Sequence, residues 1–425
     1  SRKEMIKEID RCRICGGKTL RPVIDLGSQY IASIFAGDGV MDELQQRYPL
    51  DVVRCADPGG CGLVQLRHSV SPRVLYSHYG YLSGINEAMR ANLRDIVSKV
   101  EQRSTLKPGD IVVDIGCNDG TLLMFYETGG IDRLGFDPAE NVVFSAREKG
   151  LDVVCDFFSP HAFRGSRPGK KAKVVTSIAM FYDLEDPRAF VRDVASILAD
   201  DGIWVIELSY LPFMLAKNSY DTICHEHLEY YSLHQITWML QREGLAVHGI
   251  EFNDINGGSF RLFMRKEEAG TVPPEVQEMI RGVEEREEAL GLATDTPYDR
   301  FREKVMTVSR DLRELVREIS SNGRKVYIYG ASTKGNTILQ YCGIDRNLLP
   351  KAADRNPDKW GRRTLGTDIP IISEELARKD SPDFFLVLPW HFIDVFVRRE
   401  HAFLENGGKF ILPLPEVQVI GIDDL

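Results

Sequence analysis

The chain has 425 residues, of which 43% are hydrophobic and 27% charged, with a formal net charge of −10. That is the balance of a folded globular protein of two or three domains, and its acidity argues against bulk binding to nucleic acid or to an anionic membrane. No apolar run approaches the roughly 20 residues of a membrane span, and the opening SRKEMIKEID lacks an apolar signal core, so a cytoplasmic location is expected.

Four of the eight cysteines fall early, as Cys12-Arg-Ile-Cys15 and as Cys55 and Cys61. The first pair sits on a tight turn, and Ala-Asp-Pro-Gly-Gly between the second pair lets the chain fold back. All four sulfurs can then face one zinc ion, and a Cys₄ site with no open position is structural. The competing readings are unrelated buried cysteines or a redox pair at Cys12 and Cys15. We assign residues 1–75 to this zinc-binding unit.

From about residue 80 to 270 strand and helix patterns alternate. Ile111–Gly116, Asp132–Asp137, Ala172–Ser177 and Gly202–Glu207 read as buried parallel strands with helices between, the pattern of a doubly wound α/β sheet. The first strand runs into Asp114-Ile-Gly116-Cys-Asn118-Asp-Gly120, and a helix is expected near Thr121. Its glycines allow close approach to a ligand, but GxGxxG, the dinucleotide signature, is missing. A loop with acids beside its glycines suits the sulfonium and ammonium of S-adenosylmethionine (SAM) better than a pyrophosphate. Asp137 ends the next strand, where an acid takes ribose hydroxyls, Asp156 and Phe157 are placed to flank the adenine, and Ser177 ends a further strand. We assign residues 76–272 to this core.

The densest polar cluster follows the strand ending at Glu207: Asp221-Thr-Ile-Cys224-His225-Glu226-His227-Leu-Glu229-Tyr230-Tyr231-Ser232. Three readings are open. His225, His227 and Glu229 alternate and would suit a metal; the histidines could simply bond the backbone; or one of them is a general base. A charged helical stretch, residues 273–322, then leads to a second α/β unit over 323–425. There Gly330-Ala-Ser332-Thr-Lys334-Gly335 follows a strand and precedes a helix expected from Asn336. It is not a P-loop, yet a helix N-terminus with a lysine can hold phosphate. Asp354 follows the next strand. A purely structural cap is the plainer reading of this unit.

These segments together resemble the zinc-containing, SAM-dependent sugar C-methyltransferases that act on nucleotide-linked 4-keto-deoxysugars, the tetronitrose and mycarose type. The likeness spans the cysteine head, Tyr79-Gly-Tyr81-Leu-Ser-Gly84, the glycine loop, the His-Glu-His segment, Gly257-Gly258-Ser259 and the C-terminal unit. It implies a class I methyltransferase core (Rossmann-like) flanked by the two other domains, with the nucleotide sugar between core and C-terminal domain. It also implies that His227 is the base that removes the proton α to the ketone, with Glu226 and His225 beside it. Cys224 stands where the family has tyrosine. Ser177 and Phe181 replace an asparagine and a histidine, and Asn256 stands where histidine is common. Tyr81, Tyr230, Asn256, Ser332, Lys334 and Asp354 are the expected substrate contacts. A monomer or weak homodimer is expected, without nucleic-acid or membrane partners. The alternatives are O- or N-methylation of another small molecule, or a binding protein whose cysteine module is a recognition finger.

Overall fold

The computed structural model describes residues 5–76 and 86–425. Its central sheet has seven strands, in the order Leu245–Asn253, Ser259–Lys266, Leu198–Ser209, Ala172–Ile178, Ile111–Ile115, Asp132–Phe136, Asp152–Val154. Neighbours from Leu198–Ser209 through to Asp152–Val154 pair in parallel, and Ser259–Lys266 runs antiparallel to both of its neighbours. The strands read as continuous apolar runs because both faces are covered. Val112, Val174 and Val205 join Leu93, Ile96, Val97 and Val100 of helix Glu87–Arg103 on one face. Ile111, Val113, Val175, Trp204 and Ile206 meet Phe190, Val191 and Val194 of helix Pro187–Ile197 on the other. That helix begins where it does because Asp186 accepts the Ala189 amide at 3.0 Å and Pro187 occupies its first turn.

The strand order reverses between Ile111–Ile115 and Ala172–Ile178. The carboxyl ends of these two strands therefore open on the crevice where α/β sheets bind ligands.

The C-terminal sheet repeats the plan, in the order Ile371–Ser373, Ala352–Asp354, Val326–Tyr329, Phe384–Val387, Lys409–Leu412, Gln418–Ile420. The charged connector is two helices, Pro274–Ala289 and Thr296–Ser321. The second places Tyr298, Phe301, Val305, Val308, Leu312, Val316 and Ile319 on one stripe, at the three- and four-residue spacing of a helix face. This stripe packs into one core with Val23, Ile24 and Leu26 of the N-terminal strand Leu20–Tyr30 and with Val326–Tyr329. Helix Thr333–Cys342 starts three residues earlier than the sequence suggested, because Ser332 accepts the Gly335 amide at 3.1 Å and caps it.

The units interleave more than the linear boundaries imply. The N-terminal sheet is ordered Glu229–Tyr230, Val64–Leu66, Arg47–Cys55, Leu20–Tyr30, so its edge strand comes from the His-Glu-His segment of the core. Glu229 pairs with Gln65 and Tyr230 with Val64. Arg363–Thr364 of the C-terminal unit pairs with Phe35–Ala36 in the same way.

Candidate active site and zinc centre

The sulfurs of Cys12, Cys15, Cys55 and Cys61 all lie within 4.8 Å of one another. Cys12 Sγ is 3.4 Å from Cys61 Sγ, and Cys15 Sγ is 3.5 Å from Cys55 Sγ. Four zinc–sulfur bonds of about 2.3 Å in a tetrahedron place sulfurs roughly 3.8 Å apart, so the cluster fits that ion. Neighbouring glycines make the room: a Cβ on Gly60 would stand 3.1 Å from Cys55 Sγ, and one on Gly17 would stand 2.7 Å from Asp57 Cβ. With sulfurs this close, Cys12 pushes Cys61 well up while Cys61 pulls Cys15 down to about 6. A zinc ion among the sulfurs would hold all four as thiolates.

At the sheet's crevice, Asp114 is buried and accepts the Thr176 hydroxyl at 2.7 Å. Burial raises its pKa to about 7, and its bond to Thr176 ties the first strand to its neighbour. Gly116, Asn118 and Gly120 all have positive φ, at 73°, 53° and 78°. A Cβ on Gly120 would stand 2.3 Å from Leu151 Cδ1, which makes that glycine obligatory for packing as well as for conformation. Asp137 accepts the Asn118 amide on one carboxylate oxygen and the Ala139 amide on the other, each at 3.0 Å. An ionised carboxylate has about four lone-pair sites, so these two amides leave acceptor capacity on Asp137. Asp156 accepts the Phe157 amide at 2.7 Å, and the Phe157 ring is left 52% exposed, an open apolar face of the kind an adenine covers. Ser177 is fully buried and accepts the Trp204 indole N–H at 3.1 Å, so its hydroxyl is already engaged within the core.

The His-Glu-His segment is held from three sides. His225 Nε2 donates to the Tyr48 carbonyl at 2.9 Å, and its ring stands edge-on to Tyr48. Ser33 Oγ donates to Glu226 Oε1 at 2.5 Å. His227 Nδ1 donates to the Thr222 carbonyl at 3.0 Å, and the Tyr182 ring packs edge-on against the imidazole with centroids 4.2 Å apart. The Nε2 of His227 therefore carries a lone pair. Burial lowers the His227 pKa to about 4, against the pull of Glu226 in the other direction. Burial and Glu226 push the Cys224 thiol well up, so it stays a thiol. The pocket at His227 is lined by Tyr182, Thr222, Ser209, Tyr210, Glu229 and Tyr230. The metal reading of His225, His227 and Glu229 does not hold: among the described residues the cysteine cluster is the only group whose donors converge. The two imidazoles are turned instead onto backbone carbonyls of different domains.

On the C-terminal side, Lys334 Nζ donates to the Asn256 carbonyl at 3.0 Å, bringing two expected substrate contacts together. Asn256 has φ 54° and is followed by Gly257 and Gly258 at 84° and 126°; a Cβ on Gly258 would stand 2.6 Å from the Phe213 ring. Burial lowers the Lys334 pKa, opposed by Asp221. Asp354 accepts the Asn356 amide at 2.8 Å on one carboxylate oxygen and faces Lys359 at 3.5 Å with the other. Ser332 is the helix cap already described. Tyr81 lies outside the described residues.

Three family models match the chain in succession: "Putative zinc binding domain" over residues 12–76, "Methyltransferase domain" over 85–249 and "C-methyltransferase C-terminal domain" over 254–415. C-methyltransferase NovU of Streptomyces niveus is 34% identical over 424 residues, covering 99% of each chain. The chain belongs to this C-methyltransferase family. An ubiquinone biosynthesis O-methyltransferase of Methylococcus capsulatus is 35% identical over 105 residues, 24% of this chain and 44% of that one. Among solved structures, magnesium protoporphyrin IX methyltransferase from Synechocystis PCC 6803 with bound SAM aligns over 46% of this chain and 88% of that one, at 15% identity and TM-score 0.33.

The C-methyltransferase is thus a SAM-dependent enzyme with a class I core and a zinc-binding head. The sequence pointed to the residues that fold close to their neighbours in the chain. It gave no sign of Ser33 or Tyr182, which meet Glu226 or His227 only through the fold. Nor did it point to Arg261, buried among Glu207, Asp95 and Asn92 beside the core sheet, where it donates to all three at 2.8, 2.8 and 3.0 Å. Phe181, where the family resemblance calls for histidine, is packed in an aromatic group with Phe190, Trp204 and Tyr231.

Proposed function

We propose that the C-methyltransferase moves a methyl group from SAM to the carbon α to the ketone of a nucleotide-activated 4-keto-deoxysugar, through an enolate that His227 generates. The observation that carries this reading is the His227–Thr222 hydrogen bond at 3.0 Å. It fixes the neutral tautomer whose Nε2 accepts a proton, inside a pocket shared with Tyr182, Thr222 and Tyr230. A transfer to oxygen or nitrogen has no need of a buried base aimed at a C–H bond. The C-methyltransferase name of the full-length relative supports the choice of carbon.

When bound, SAM supplies an electrophilic methyl on a sulfonium. The chain's own work is to make and aim the carbon nucleophile. His227 takes the α-proton on Nε2, and the imidazolium so formed lies in the field of Glu226, which Ser33 holds in place. Asp137, with Asp156 and Phe157, would keep the nucleoside of SAM at the crevice. Lys334 and Asn256, joined at 3.0 Å, offer a cation and a polar turn to the nucleotide part of the substrate.

The test is to incubate the enzyme with isotope-labelled SAM and a panel of nucleotide 4-keto sugars, then read the product by NMR. A new methyl on the carbon next to the ketone is expected. Methyl on a hydroxyl or amine would overturn the reading.

A further inference from the structure

The first turn of helix Thr333–Cys342 reaches three segments of the site at once. Lys334 Nζ donates to the Asn256 carbonyl, Asn336 Nδ2 to the Ala32 carbonyl at 2.7 Å, and Thr337 Oγ1 to the Ile223 carbonyl at 3.2 Å. Asn336 and Thr337 are both buried. The Ala32 carbonyl shares a peptide plane with the amide of Ser33, whose hydroxyl donates to Glu226. Ile223 follows Thr222, whose carbonyl takes the His227 Nδ1 proton at 3.0 Å. The plane that carries the Thr222 carbonyl also carries the Ile223 N–H, which donates to the Tyr220 carbonyl at 3.1 Å. Tyr220 in turn meets Cys342 Sγ through its hydroxyl at 3.3 Å, at the other end of the same helix. Residues 220–223 are thus strapped along the helix at both ends, and the Thr222 carbonyl has little freedom to turn.

Packing alone does not ask for these bonds. A helical threonine hydroxyl can turn back on the carbonyl one turn before it, and a buried valine has nearly the same shape with no polar group to desolvate. Asn336 and Thr337 instead aim their donors at carbonyls 304 and 114 positions away in the chain. Each of those carbonyls lies one peptide from a group that fixes Glu226 or His227.

We propose that Asn336 and Thr337 are positioning residues for the base. Thr337 acts through Ile223 on the Thr222 carbonyl that orients His227, and Asn336 acts through Ala32 on Ser33, which holds Glu226. The inference rests on the reading of His227 as the base given above. It makes the C-terminal unit part of the machinery of proton abstraction, beyond any contact it offers the nucleotide.

The test pairs rates with a signature that needs no substrate. Thr337→Val removes the hydroxyl and keeps the shape. It should lower kcat by about 10–100-fold, the scale of misplacing a catalytic group by about 1 Å, with KM for the nucleotide sugar and calorimetric affinity for S-adenosylhomocysteine near those of the wild type. Thr337→Ser should restore most of the rate. In nitrogen NMR of protein with isotope-labelled histidine, His227 should show a protonated Nδ1 and a bare Nε2 in the wild type and in Thr337→Ser, and mixed tautomers in Thr337→Val. Asn336→Leu should also lower kcat, and Ser33→Ala on top of it should add little, because both act on Glu226 by one route. Ser309→Ala removes a hydroxyl bonded to Cys342 at 3.4 Å, at the far end of the helix, and should change the melting temperature at most. A folded Thr337→Val protein with the wild-type kcat would overturn the proposal, as would a lower kcat with His227 unshifted and no rescue by serine. Full activity in Asn336→Leu would overturn it equally, which keeps it testable if Thr337→Val does not fold. A His227→Ala protein with the wild-type rate would overturn the base reading, and this proposal with it.

Discussion

His227 Nδ1 lies 3.0 Å from the carbonyl oxygen of Thr222, five residues earlier in the same chain. A carbonyl can only accept, so the proton is on Nδ1 and the basic lone pair is on Nε2. Removing the ring should cost about 10²–10⁴-fold in kcat, the usual worth of a general base. SAM affinity in His227→Ala should stay near that of the wild type, checked by calorimetry beside steady-state rates. His225→Ala should cost less, since its ring is committed to the Tyr48 carbonyl.

The same imidazole sets a pH dependence. Burial brings its pKa to about 4 from an ordinary 6.5. The folded state therefore binds this proton less readily than the unfolded chain. Its contribution to stability is complete above about 6.5 and is lost as pH falls toward 4. The acid limb of kcat/KM assigned to this base should fall near pH 4 and not near 6.5, in a profile recorded with a stability check at each pH. An acid limb centred near neutrality would contradict the burial.

Zinc should be present at one ion per chain, as read by elemental analysis of fresh protein. Cys55→Ser or a strong chelator should loosen the N-terminal sheet, because such a site contributes folding energy outright. The effect should reach the base. Gln235 donates to the Cys61 carbonyl at 2.9 Å while its carbonyl oxygen accepts from Ser232 at the head of helix Leu233–Arg242, and Leu66 donates to the Leu228 carbonyl at 2.9 Å. Metal loss should therefore lower kcat before it lowers SAM binding.

Asp137→Ala should weaken SAM binding by about 1.5–3 kcal/mol, the scale for hydrogen bonds to a charged group. Asp137→Asn keeps one acceptor oxygen and should lose less. Unchanged affinity in a folded Asp137→Ala protein, measured by titration calorimetry, would remove Asp137 from the site.

Arg261 and Glu207 face each other at 2.8 Å with side chains only 2% and 3% exposed. Arg261→Met leaves that carboxylate buried without its cation and should cost roughly 3–5 kcal/mol. Replacing both, as Arg261→Met with Glu207→Leu, should recover part of the loss in thermal melts, because the desolvated charge is then gone as well.

What could be read in the chain is what the chain makes locally. The strand Ile111–Ile115 announces itself by five buried apolar or anchored residues in a row, and the turn after it by glycines whose positive φ few other residues tolerate. The cysteine pairs carry their own spacing. The Glu229–Gln65 pairing was not legible, because a two-residue strand has no periodicity and its partner lies 164 positions away. The alternation of His225, His227 and Glu229 is real, but alternation in sequence does not say which neighbour each ring will meet. The backbone carbonyls of Tyr48 and Thr222 decided that. The indole of Trp204 that reaches Ser177 from 27 residues away was equally illegible, because only the fold brings the two together.

Because Glu229–Tyr230 completes the sheet of the first domain, the end of that domain in the chain is not a clean seam for recombination. A chimaera that exchanged residues 12–76 with a relative at the family-model boundary would mate a foreign sheet with a native edge strand. The segment carrying the base and the strand beside it are inherited as one unit, though some 160 residues separate them in the gene's reading order. Substitutions at Val64, Gln65 and Leu66 should accordingly track those at 225–230 across relatives, and an engineer seeking a new substrate would do well to move both together.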